Sequence, residues 1–169
     1  MEQNTKVSKF FSYGELWRSE GANREGIDNR PTPEHLDNLI WLAQNIADKC
    51  REYVGGPLHG SFYRSPALNA ITPGASATSY HSFGMAVDLD CDHYGYGNNA
   101  DLFRWMNRNL TFGQLIWEFG DDKKPDWIHV TAYRPNIGTF GLFKWDQKQL
   151  DRFYWENGQR KKKPFDLPL

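Results

Sequence analysis

From Met85 to Cys91 the chain reads Met-Ala-Val-Asp-Leu-Asp-Cys, with apolar and acidic residues alternating at period two. Successive side chains of a strand point to opposite faces, so Val87, Leu89 and Cys91 share one face while Ala86, Asp88 and Asp90 share the other. A second run, Trp127-Ile-His-Val-Thr-Ala132, alternates in the same way. There Ile128, Val130 and Ala132 make the apolar face, and His129 and Thr131 the polar one. These two runs constrain the fold more than any other feature. Each strand requires a core on one side and a polar cleft on the other.

His81 stands seven residues before Asp88, with Gly84 between them. Gly84 permits a positive φ or a close backbone approach, so the turn can bring His81 back over the strand. If the two strands are neighbours, His81, Asp88 and His129 converge. Two imidazoles and one carboxylate form a three-ligand set that leaves a coordination position open for water, the arrangement of catalytic zinc. Asp126, three residues before His129, could then take the proton of that water. A lone strand histidine is more often a hydrogen-bonded, partly buried side chain. The metal expectation therefore rests on both polar groups falling on the same parity of two apolar strands, with glycine at the turn.

The remaining chain supplies the scaffold. Residues 9–18 suggest a short helical or turn segment that lays aromatics on the core. Residues 19–31, rich in Gly, Asn, Asp and Arg, suggest a loop. Thr32-Pro33-Glu34 is a helix start, and Leu36, Leu39, Ile40, Ala43, Ile46, Ala47 and Cys50 recur at helical spacing to about Tyr53. Gly55-Gly56-Pro57 ends that helix. A core strand follows over Leu58 to Tyr63, with Arg64 at its end, and residues 66–78 suggest a loop on the rim of the cleft. Further expected elements are a helix over Ala100 to Asn109, strands over Phe112 to Phe119 and Phe140 to Trp145, and part of a terminal helix over Leu150 to Trp155. Arg160-Lys-Lys-Lys163 suggests a solvated basic end.

At 169 residues, 39% of them hydrophobic, the chain suits one domain with a single core. A net charge of -1 offers no electrostatic case for nucleic acid. The sequence has no apolar run suited to a membrane span or a signal peptide, which predicts a cytoplasmic protein unless something releases it. Cys50 and Cys91 fall on apolar faces and suggest small core residues.

The pattern Ser79-x-His81-x-x-Gly84-x-Ala86-x-Asp88, followed by Asp126-x-x-His129, resembles the zinc D-alanyl-D-alanine peptidase family. That family includes cell-wall carboxypeptidases, D,D-dipeptidases and phage endolysins, and shares its fold with the hedgehog signalling domain. Gly60-Ser-Phe-Tyr-Arg-Ser-Pro-Ala-Leu-Asn69 is similar to another of its segments, and Gln114-Leu-Ile-Trp-Glu-Phe-Gly120 to the strand before its last ligand. The likeness spans roughly residues 9–134, leaving 135–169 as a C-terminal extension of the same domain.

The resemblance implies an α+β fold, a mainly antiparallel central sheet flanked by helices. It implies Zn2+ held by His81, Asp88 and His129, with Asp126 as general base. Arg64 would support the substrate carbonyl oxyanion, and Ser79 would help hold the substrate. Many members carry Glu where this chain has Asp126, a side chain about one bond length, on the order of 1.5 Å, longer. Glu118 is the second candidate base. The implied activity is hydrolysis of a peptide bond in peptidoglycan stem peptides by a monomer, as a D,D-carboxypeptidase or an endopeptidase. With no signal peptide or wall-binding module in view, an endolysin or virion-associated enzyme is expected. The competing classes are a non-catalytic zinc-stabilised module and a cytoplasmic D,D-dipeptidase.

Overall fold

The computed structural model describes residues 2–132, 149–157 and 159–168. Its helical layer is led by α3 (Pro33–Leu42), which follows the short helices α1 (Tyr13–Trp17) and α2 (Glu20–Glu25). The Thr32 side chain accepts from the His35 amide and Pro33 occupies the first turn, where its missing N–H costs nothing. A π-helical turn (Ala43–Ala47) joins α3 to α4 (Asp48–Val54). Leu36, Leu39, Leu42, Ala43, Ile46, Ala47 and Cys50 form the buried stripe of this long element. Gly55 ends it in the left-handed conformation at φ 72°.

The sheet has six strands in the order β1-β2-β4-β3-β5-β6. They are β1 (His59–Ser61), β2 (Ala86–Asp90), β3 (Gln114–Glu118), β4 (Trp127–Thr131), β5 (Gln149–Glu156) and β6 (Gln159–Pro164). All neighbours are antiparallel except β3 and β5. One face carries Val87, Leu89, Leu115, Trp117, Ile128 and Val130, all fully buried. That face packs on the α3–α4 stripe and on Leu102, Phe103 and Met106 of α6 (Asn99–Asn109). The other face is polar, as the alternation in both central strands requires. The fold is thus α+β with a mostly antiparallel sheet. Cys50 and Cys91 are buried free thiols in its core.

Three local expectations differ from the structure. Residues 19–31 contain α2, because the Ser19 side chain accepts from the Ala22 amide and starts a turn that composition hid. Residues 66–78 contain α5 (Pro66–Ile71), with Ser65 accepting from the Leu68 amide and Pro66 in the first turn. Leu150 to Trp155 belongs to β5, because pairing with β3 and β6 decides the conformation of a short run that local pattern leaves ambiguous. The strand expected over Phe140 to Trp145 lies outside the described residues.

The turn before β2 is the tightest point of the scaffold. Tyr80–Phe83 forms one turn of 3-10 helix, and Gly84 closes it at φ 69°. A Cβ on Gly84 would stand 2.3 Å from the His35 carbonyl oxygen. Gly84→Ala should therefore destabilise the protein by about 3 kcal/mol or more, adding the left-handed penalty to a backbone clash. Thermal denaturation would show a melting temperature lower by roughly 6–12 °C for a domain of this size. An unchanged melting temperature would contradict the described packing of this turn on α3.

Candidate metal centre

The register of the central strands pairs Asp88 directly with His129. On the polar face, Ser61, Asp88, His129, Ile116 and Asp151 stand in one row across five strands. The 3-10 turn then folds His81 over this row. His81 Nε2 lies 3.2 Å from His129 Nδ1 and 3.3 Å from Asp88 Oδ1, and His129 Nδ1 lies 2.8 Å from the same oxygen. Tetrahedral ligands about 2.0 Å from one ion stand about 3.3 Å apart, so this triangle is the size that a single ion needs. Among the described residues it is the one group of three or more such side chains that could hold a metal.

The chemistry of the triangle suits a cation as well as its size does. His81 Nδ1 lies 2.6 Å from the Phe62 carbonyl oxygen. A carbonyl only accepts, so Nδ1 carries the proton and the Nε2 lone pair faces the triangle. Burial opposes the Asp88 anion. When His81 is protonated it turns a second N–H toward Asp88, and its charge, with the hydrogen bond from His129, outweighs burial and holds the carboxyl far below its ordinary range. Burial pushes the His129 imidazole down, against the pull of Asp88. An anionic carboxylate between imidazoles is a nitrogen and oxygen donor set that a divalent ion of the zinc type prefers.

The support for His81 comes from a strand end that the sequence left unexplained. The Arg64 amide donates to the His81 carbonyl at 3.3 Å, which locks the turn to the segment after β1. Buried Asn29 fixes that segment in turn. Its side-chain amide donates to the Trp17 carbonyl at 2.7 Å and the Tyr63 carbonyl at 3.1 Å, and its oxygen accepts from the Ser65 amide at 2.7 Å. Nothing in the residue pattern marks Asn29. Its partners come from two other parts of the chain, around Trp17 and over Tyr63 to Ser65.

The other expected site residues are placed as follows. Ser79 is half-buried at the start of the 3-10 turn, where its carbonyl accepts from the Ser82 amide. Arg64 is half-buried, with Nη1 3.4 Å from Asn69 Oδ1. Asp126 is exposed just before β4; its amide donates to the Glu118 carbonyl and its own carbonyl accepts from Asn99. Glu118 is 3% exposed and shares the polar face with the His–Asp–His triangle. Burial, reinforced by Asp88 and opposed by Arg160, pushes its carboxyl up to about 7. Arg160 Nη2 lies 3.1 Å and 3.3 Å from the two Glu118 oxygens. Arg160 is therefore part of the site surroundings, whereas its run of basic residues suggested only a solvated end.

A cavity of about 230 Å³ abuts Asp88 and is lined by His59, Ser61, Asp88, Asp90, His93 and Trp127. His59, Ser61 and His93 also border a wider groove of about 590 Å³ along the β1 edge of the sheet. The cavity at Asp88 and the wider groove thus adjoin at these three residues.

An α+β domain whose sheet displays a His–Asp–His group able to bind a metal has the makings of a metalloprotein. The chain belongs to the peptidase M15 family, the zinc D-Ala-D-Ala carboxypeptidase family, whose model matches residues 9–131. It is accordingly a member of a metallopeptidase family. No curated protein and no solved structure matches the chain.

Proposed function

We propose that this protein is a zinc metallopeptidase that hydrolyses a peptide bond in bacterial peptidoglycan stem peptides, in the manner of an endolysin. The observation that carries this reading is the 2.8–3.3 Å triangle of His81, Asp88 and His129, in a chain of the peptidase M15 family. Zinc held there would supply a Lewis acid, polarising a carbonyl and making water a stronger acid.

The protein's own groups divide the remaining work. Glu118 is the proton acceptor in this reading. It stands on the face that carries the ligands, and its raised pKa suits a base near neutral pH. Asp126 is the competitor on the strength of its spacing from His129, although its side chain is solvent-exposed. Arg64 offers a planar guanidinium to the oxygen on which negative charge develops, and Ser79 helps hold the substrate. In this reading the cavity at Asp88 and the groove that adjoins it would take the peptide.

The test is digestion of defined muropeptides by the zinc-loaded protein, with fragments read by mass spectrometry and metal content measured on the same sample. One zinc per chain together with a single new amine and carboxylate is the expected result. Zinc uptake without any cleavage would identify a non-catalytic, metal-stabilised module instead. Cleavage confined to free D-Ala-D-Ala would identify a dipeptidase.

A further inference from the structure

Strands β5 and β6 lie beyond the residues matched by the family model, yet Arg160 of β6 reaches Glu118 on the face that carries the metal ligands. Other basic residues of β6 stay close to home: Lys162 pairs with Asp151 at 3.0 Å, and Lys163 with Asp166 at 2.6 Å. Arg160 instead crosses β5 to β3. Its Nη2 engages both Glu118 oxygens, while its Nη1 donates to the Gly74 carbonyl at 3.0 Å. The guanidinium lies 3.8 Å from the centre of the Phe153 ring and 5.6 Å from that of Phe119. Stacking and a fork of donors hold this group in one orientation, which a lysine cannot reproduce.

Gly74 belongs to the segment 72–79 that connects α5 to the turn carrying His81. The same segment is held from its other side. Asn69 Nδ2 donates to the Ser76 carbonyl at 2.9 Å, and Arg64 Nη1 contacts Asn69 Oδ1. The segment therefore hangs between Arg64, through Asn69, and Arg160. The rim is thus held from both sides.

We propose that Arg160 is a positioning residue: it locks the Glu118 carboxylate and the rim segment 72–79 into one arrangement beside His81, Asp88 and His129. Through it the β5–β6 hairpin completes a site that residues 9–131 leave unfinished. The proposal rests on the peptidase reading for its kinetic consequence and on geometry alone for its structural one.

The experiment uses the full chain with Arg160→Ala and Arg160→Lys, and two readouts. In hydrogen exchange, both variants should exchange amides within residues 72–79 about tenfold faster than the unaltered protein, as expected for loss of a charge-assisted bond. In kinetics on a muropeptide, zinc content should stay at one per chain while kcat falls about 10–100-fold, with KM little changed. Arg160→Ala combined with Glu118→Gln should slow kcat by clearly less than the product of the two single effects, because part of the Arg160 effect passes through that carboxylate. Unchanged exchange in residues 72–79 would overturn the proposal, as would kcat within about twofold of the unaltered enzyme or independent multiplication of the two effects. If the unaltered protein cleaves no muropeptide, the peptidase reading fails by itself, and the exchange measurement still decides the role of Arg160.

Discussion

Replacing His81 with alanine should abolish metal binding and hydrolysis together. His81 supplies one of three ligand atoms, and its Nε2 forms two of the three edges of the triangle. Apparent zinc affinities of about 10–16 kcal/mol are shared among the ligands, so losing one costs about 3–5 kcal/mol, or roughly 10²–10⁴-fold in affinity. At a buffered free zinc concentration equal to the unaltered protein's own Kd, the variant should retain less than about a tenth of an equivalent, and turnover should fall with it. The substitution also strips the buried Phe62 carbonyl of its donor, at a cost of about 1–3 kcal/mol in stability. Asp88→Asn separates the two effects. It keeps the shape of the side chain and removes the anion that holds the set together. Elemental analysis alongside a melting curve reads both, and a folded His81→Ala protein with full zinc and full activity would refute the ligand assignment.

The second large effect concerns the proton. Glu118→Gln should leave metal content unchanged and lower kcat by about 10²–10⁴-fold, the usual worth of a positioned base. Asp126→Asn should stay within a few-fold of the unaltered enzyme. The reverse outcome would transfer the role to Asp126. The pH profile supplies a second readout. A base works ionised, so kcat/KM should rise with pH through the Glu118 pKa, about 7 in the metal-free protein. A bound cation favours the ionised form, so in the loaded enzyme this limb lies lower. Glu118→Gln should erase it.

The same group makes a stability prediction of opposite sense to the usual carboxylate. Its pKa is raised on folding from 4.5 to about 7, so the folded state binds the extra proton between those values. Stability from this source is present below the lower value and lost as pH rises through the upper one. Chemical denaturation of the metal-free protein between pH 5 and 7.5 would follow that loss, and Glu118→Gln should flatten it.

Much of the centre can be read from two short stretches because β-structure has a strict period. Once Val87, Leu89, Ile128 and Val130 are assigned to a core, Asp88 and His129 must face the other way. Gly84 marks the turn for a local reason as well, since it closes the 3-10 turn at φ 69°, a conformation that glycine adopts freely. Helix starts at Ser19 and Ser65 were hidden because a loop-like composition and a capped short helix use the same residues. Local pattern could not settle β5 either, because short apolar runs serve helix and strand alike.

What the sequence by itself determined is the alternation: which side chains of the central strands face the core, and which are free to form a polar cleft. Only the tertiary structure decided the register that sets Asp88 opposite His129, the Asn29 clamp beneath His81, and the reach of Arg160 to Glu118. The physical reason is distance along the chain. Periodicity acts between neighbours, whereas Asn29 joins two other parts of the chain and Arg160 meets a carboxylate 42 residues away. No local preference encodes such meetings, and they exist only once the sheet and its hairpin have closed.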